Sequence, residues 1–318
     1  MKKIKLLLIA LAMMLVAPTA VNAQGKFVVP ITGRKVKLWV SDSEVLSLSS
    51  QEYNSYLSSA KLSTDAAKTA MVKKVGQNLA NAVEAYLKSV NRLDAIDGYQ
   101  WEFNLVQDAN ANAFCMPGGK IVVYEGLLPI TQNESSLAIV LGHEIAHAVA
   151  KHSAEQLSTQ KKQQLGGKLL GAAASVMGAS STTALITQGV YSLGSKLGSL
   201  KYSRDNESEA DHMGLIFAAM AGYNPNDAVA FWQRMAANSQ STKLAFLSDH
   251  PSDAKRISNI QKWLPEAASY YKPVTTTTTT KKSTSTKKTT TKKTTTKKTT
   301  TKKTTSKSTK KTTTKKKK

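Results

Sequence analysis

His143, Glu144 and His147 form the sequence His-Glu-Ile-Ala-His, in which two imidazoles and one carboxylate stand at helical spacing. Positions i and i+4 of a helix point the same way, so both rings can face one tetrahedral Zn²⁺. Glu144 lies about 100° round the helix from His143, within reach of a water at that cation. That spacing suits a general base acting on water, the chemistry of peptide hydrolysis. The alternative is a pair of core histidines hydrogen-bonded to neighbouring backbone.

A third ligand is sought downstream, in Arg204-Asp205-Asn206-Glu207-Ser208-Glu209-Ala210-Asp211. Glu207 and Asp211 are i and i+4, hence on one face, whereas Glu209 is about 200° from Glu207 and points elsewhere. Glu207 is assigned as the third zinc ligand. Asp211 is assigned as its neighbour that accepts a hydrogen bond from a ligand imidazole and fixes its tautomer. A solvated acidic helix start, favoured by the macrodipole, is the competing reading.

These residues need elements to hold them. Leu137, Ile139, Val140, Leu141, Ile145, Ala148 and Val149 make the histidine segment apolar almost all round, a buried central helix. Met71, Val72, Val75, Leu79, Val83, Tyr86, Leu87 and Val90 recur at helical spacing after Asp65. The period then becomes two: Trp101, Phe103 and Leu105 alternate with polar residues. Residues 113–116 and 121–124, joined by Pro117-Gly118-Gly119, predict a strand pair before the histidine helix. Gly222 ends the Glu207 helix. Asn224-Pro225 opens one carrying Val229, Phe231, Trp232 and Met235, and Pro251 opens another with Ile257, Ile260 and Leu264, capped by His250. His152 and His212 read as bystanders, His152 because a continuous helix carries it about 140° from His147. Arg204 reads as a structural anchor for a carboxylate or carbonyl.

Four blocks, in order, resemble metallopeptidase family 48, the gluzincins grouped with HtpX, the CAAX prenyl proteases and the Oma-type enzymes. They are residues 112–119 running into Gly126-Leu127-Leu128, the His143–His147 motif, Tyr202-Ser203-Arg204 with Glu207–Asp211, and His250-Pro251 with Arg256-Ile257. The resemblance spans residues 40–265, and the soluble, periplasmic BepA-like branch fits best. It implies a mainly α fold with a small β-sheet, one zinc per subunit on His143, His147 and Glu207, and Glu144 as base. It also implies His250 near the active site, either stabilising the oxyanion or occupying the fourth zinc position at rest. Tyr124, Tyr191 and Tyr202 are the other oxyanion candidates. By the same resemblance, residues 113–124 bind substrate backbone by strand addition, which reads unfolded or misassembled protein more than sequence.

The remaining features bound the rest. The 318 residues, 41% hydrophobic, suffice for one zinc peptidase domain over 24–272. Lys2, Lys3 and Lys5 precede an apolar run from Leu6 to Ala17, and Val21-Asn22-Ala23 completes a secretory signal cut after Ala23, which predicts the periplasm, with the extracellular space as the alternative. Cys115 is the only cysteine, so no intramolecular disulfide forms, and it reads as a small buried residue. Residues 165–200 read as two small-residue helices, a candidate lid over the cleft. From 273 to 318 the composition, almost wholly Thr and Lys, predicts a disordered tail. Its 17 lysines carry most of the net charge of +23, leaving +6 for the rest and +3 without the leader lysines. The domain itself is nearly neutral, which argues against a specific nucleic-acid-binding fold. The tail suits an anionic envelope surface or is a solubilising extension. Oligomeric state has no signature here. A zinc-containing chaperone with little cleavage, and an adhesin that works through its tail, are the alternatives to an endopeptidase.

Overall fold

The computed structural model describes residues 26–163, 202–238, 246–250 and 254–273. The expected signal sequence, the candidate lid, Tyr191 and the Thr/Lys tail lie outside the described residues, as do the expected domain ends.

Strands β1 (Lys26–Val28) and β2 (Lys35–Lys37) form a short antiparallel hairpin. Helix α1 (Asp42–Ser59) follows, its first turn capped by the Ser41 hydroxyl accepting from the Glu44 amide. Helix α2 (Ala66–Ser89) starts at Asp65, whose carboxylate accepts from the Lys68 amide, and buries Val72, Val75, Leu79, Val83 and Leu87 at the expected spacing. The hairpin and α1 had no counterpart in the sequence pattern. The strands are three residues long, and α1 is rich in serine, burying only Val45, Ser49 and Tyr53.

The three period-two segments form one sheet, in which the alternating segment joins the expected strand pair: β3 (Glu102–Val106), β4 (Ala113–Met116) and β5 (Lys120–Tyr124), in the order β3-β5-β4. The hairpin β4–β5 is antiparallel, turning through Gly118 and Gly119 at φ 90° and 79°. The alternating segment Phe103–Leu105 lies parallel to β5 on its other side, so β5 is central and β4 an edge. One face of the sheet packs Phe114, Met116 and Val122 against Tyr53 of α1.

After the short helix α3 (Leu128–Thr131), helix α4 (Glu134–Val149) runs through the core, capped by Asn133. Every residue from Ser136 to Val149 is buried, which explains its apolar character on all sides. Residues 152–163 continue as a separate helical run, because Lys151 turns left-handed at φ 58°. Helix α5 (Arg204–Met220) opens with a capping box in which Ser203 and Asn206 satisfy each other's amides. Helices α6 (Asp227–Ala237), α7 (Phe246–Asp249) and α8 (Ala254–Tyr270) complete the fold, α6 placing Phe231, Trp232 and Met235 in the core. The architecture is α+β, mostly helical with two small sheets. Among the described residues no helix is long and apolar enough to cross a membrane.

Candidate metal centre

Helix α4 points His143 and His147 at the same spot, their Nε2 atoms 3.0 Å apart. Glu207 reaches in from α5, with Oε2 3.5 Å from His143 Nε2 and Oε1 3.4 Å from His147 Nε2. His250, just past α7, brings Nδ1 to 3.0 Å from Glu207 Oε1 and 3.2 Å from His143 Nε2. Ligand atoms of these four buried residues lie within 4.8 Å of one another, the metal-binding constellation among the described residues.

Electrostatics decide what such a cluster can hold. Burial disfavours a protonated His147, whose pKa falls well below the ordinary value, so its Nε2 offers a lone pair. For His143 burial pulls the same way but is outweighed by hydrogen bonds to Asp211 and Glu207, which raise its pKa. Burial also opposes charge on Glu207, yet hydrogen bonds from His143, His147 and His250 hold its carboxyl well below the usual carboxylate range. Once the Nε2 protons are given up, two imidazole lone pairs and a carboxylate converge on one point, a set that a shared cation satisfies. Nitrogen donors with one carboxylate match zinc chemistry. Glu144 adds a second observation. Its Oε1 is buried without a hydrogen-bond partner, 3.5 Å from His250 Nε2, as a group awaiting water and metal would be. The donors therefore fit zinc.

Behind His143, Nδ1 lies 2.9 Å from Asp211 Oδ1, so Nδ1–H donates to the carboxylate and Nε2 is left free to ligate. The same oxygen accepts from Arg256 Nη2 at 2.6 Å. Arg256 also donates through Nη1 to the His250 carbonyl at 3.2 Å, stands 3.6 Å from Glu207 Oε2, and lies 3.5 Å over the Trp232 ring. Sequence reasoning gave Arg256 no role. Its signal was a lone cation on the face of α8 that also carries Ile260, six residues past His250. Arg256 holds an anchoring position, whereas Arg204 is exposed at the start of α5, with no hydrogen bond or ion pair among the described residues.

His152 also departs from expectation. The break at Lys151 swings it back toward α4, where it is buried with Nδ1 2.9 Å from His147 Nδ1 and Nε2 2.9 Å from Glu209 Oε2. The angle expected of His152 assumed a helix that does not continue. Glu209 does point away from the donor cluster, but toward His152, Thr32 and Arg34 rather than solvent.

The other candidates sort by position. Tyr202 stacks on His147 with centroids 4.1 Å apart, its hydroxyl 2.9 Å from Ser153 Oγ. Tyr124 lies edge-on to Phe114 on the sheet. His212 pairs with Glu266 at 2.7 Å and stacks on Trp263, apart from the cluster. Cys115 is buried in β4, its thiol pushed up by burial and then by Glu144, and it is not among the four donors. On the side of β4 away from β5 there is no strand partner among the described residues.

Comparison with known proteins supplies independent findings. Residues 67–264 match the family described as Peptidase family M48. The chain is 40% identical over 187 residues to the Mitochondrial metalloendopeptidase OMA1 of Schizosaccharomyces pombe, covering 58% of this chain and 53% of that protein. Against the protein of the same name from Saccharomyces cerevisiae it is 32% identical over 253 residues, 76% of this chain and 70% of the relative. A Putative beta-barrel assembly-enhancing protease of Vibrio cholerae is 33% identical over 181 residues, 54% of this chain and 35% of the relative. The chain thus spans about half the length of the first of these and about a third of the last.

Proposed function

Because this chain belongs to peptidase family M48, we propose that it is a zinc endopeptidase that cleaves unfolded or misassembled proteins. The observation that carries this reading is the buried Oε1 of Glu144, which accepts no hydrogen bond among the described residues, beside a converging set of two imidazoles and a carboxylate. His143, His147 and Glu207 would hold one zinc per subunit. Zinc bound there supplies Lewis acidity, polarising the peptide carbonyl and making water easier to deprotonate.

Glu144 takes the proton of the attacking water and hands it to the leaving amine, a transfer suited to a carboxyl in a dry pocket. Asp211 keeps His143 in the tautomer that offers Nε2, and Arg256 keeps Asp211 an acceptor. His250 occupies the resting cluster as a fourth donor and must withdraw before substrate enters, which supports a gating role over an oxyanion role in this state. The edge of β4, without a strand partner among the described residues, is the proposed docking line for extended substrate backbone, recognised by main-chain hydrogen bonds.

The leader composition supports a periplasmic setting and a role in envelope quality control. One relative's name refers to β-barrel assembly, while others are named as mitochondrial. The lysines of the tail suit attachment to an anionic envelope surface. A chaperone that binds clients without cutting would need no base at Glu144. The deciding experiment is casein cleavage by the zinc-loaded protein and its Glu144→Gln variant, with zinc content measured in both. Cleavage lost by at least about 100-fold with zinc retained supports the reading. Equal cleavage by both proteins, or no zinc in either, would overturn it.

A further inference from the structure

The two histidines of α4 are backed differently. His143 has Asp211 and then Arg256 behind it. Behind His147 stands a longer series: His147 Nδ1 to His152 Nδ1 at 2.9 Å, His152 Nε2 to Glu209 Oε2 at 2.9 Å, and Glu209 Oε2 to Arg34 Nε at 2.7 Å. Arg34 is itself gripped by Glu155, its Nη1 and Nη2 donating at 2.9 and 3.0 Å, and Thr32 donates to the other oxygen of Glu209. Each series thus ends in a carboxylate and an arginine. The outer end of the second is the β1–β2 turn, which lies before the family match begins at residue 67.

Proton bookkeeping makes the series directional. With Nε2 of His147 turned to the donor cluster, its proton sits on Nδ1 and is donated to Nδ1 of His152. His152 must then carry its own proton on Nε2, where Glu209 accepts it. Only one arrangement of protons satisfies all three residues, and every member is hydrogen-bonded although His152 is 1% and Glu209 8% exposed.

We infer that His152, Glu209 and Arg34 are positioning residues for His147, an arm through which the N-terminal hairpin fixes the tautomer and ring angle of that ligand. The inference rests on the reading of His147 as a zinc ligand. A network that merely pinned the hairpin would affect stability and leave the metal's surroundings alone.

The test uses the full chain, with zinc affinity from chelator competition and the visible spectrum of the cobalt-substituted protein as readouts. His152→Phe keeps a ring but removes the acceptor, and is expected to lose about 10- to 100-fold in zinc affinity and to shift the cobalt bands. His152→Gln restores an acceptor and should recover most of both. Arg34→Met should weaken zinc binding in the same direction by less, with Arg34→Lys restoring it. Arg34 is on the surface, 33% exposed, so this pair carries the test if His152→Phe fails to fold. Unchanged affinity and cobalt bands in His152→Phe and Arg34→Met, while His147→Ala abolishes zinc binding, would overturn the arm alone. Zinc affinity that survives His147→Ala would overturn the ligand reading and the arm with it.

Discussion

Gly142 and Gly214 bring the backbones of α4 and α5 into direct contact immediately before His143. A β-carbon on Gly214 would lie 2.5 Å from the His143 amide nitrogen, and one on Gly142 would lie 2.6 Å from the Gly214 carbonyl oxygen. Glu207, Asp211 and Gly214 fall at i, i+4 and i+7, so one stripe of α5 carries the carboxylates and the contact that brings them to the histidines. The two glycines set the distance at which the donor cluster can form.

Gly214→Ala therefore tests the scaffold. Alanine is the better helix former by about 1 kcal/mol, but the clash is with backbone, which cannot rotate away. Overpacking wins, and a net loss of about 1–3 kcal/mol is expected, with weakened zinc binding. Urea unfolding with and without zinc measures it; an equally or more stable variant contradicts the packing argument.

Arg256 is expected to matter most when the protein is stripped of metal. Its guanidinium compensates Asp211 and Glu207 in a buried site, and Arg256→Met leaves those carboxylates facing each other. Removing one partner of a buried pair costs about 3–5 kcal/mol. Zinc supplies compensating charge, so the loss should be larger in chelator-treated than in zinc-loaded protein. Equal losses in the two forms, by denaturant unfolding, would count against this.

Glu144 gives a pH prediction. Burial, the largest influence, and the nearby Glu207 push its carboxyl from 4.5 up to about 7, against the pull of His250. A folded-state value above the unfolded one means the folded protein favours the bound proton. The contribution is present below pH 4.5 and is lost as pH rises through about 7. In metal-free protein, Glu144→Gln should thus gain stability over wild type as pH goes from 5 to 8, by at most about 3 kcal/mol. The measurement is paired thermal unfolding across that range, and a gap that stays constant or narrows contradicts it.

His250→Ala probes the resting state. Its Nδ1 sits with Glu207 and His143 among the donors, so truncation should leave zinc bound and raise casein cleavage several-fold. A large fall in kcat with zinc retained would instead assign His250 to the oxyanion.

What the sequence could disclose followed from periodicity. The i, i+4 spacing puts His143 with His147 and Glu207 with Asp211 whatever the rest of the fold does, and the structure gathers these with His250 around one point. Helix α2 and the β4–β5 hairpin were legible for the same reason. The series behind His147 was not, because extrapolating the helix past Val149 hides the left-handed turn at Lys151 that returns His152 to the site. Arg34 and Arg256 each lie 113 residues from the histidine they stand behind, and no local pattern encodes such a pairing. The parallel β3–β5 pairing is likewise non-local, and the β1–β2 strands are too short to show a period.

The most direct measurement is anomalous scattering at the zinc edge from crystals of the zinc-loaded protein. The account predicts one peak per chain, within about 2.0–2.2 Å of Nε2 of His143, Nε2 of His147 and the Glu207 carboxylate. Zinc bound to other residues, or bound without Glu207, would contradict it.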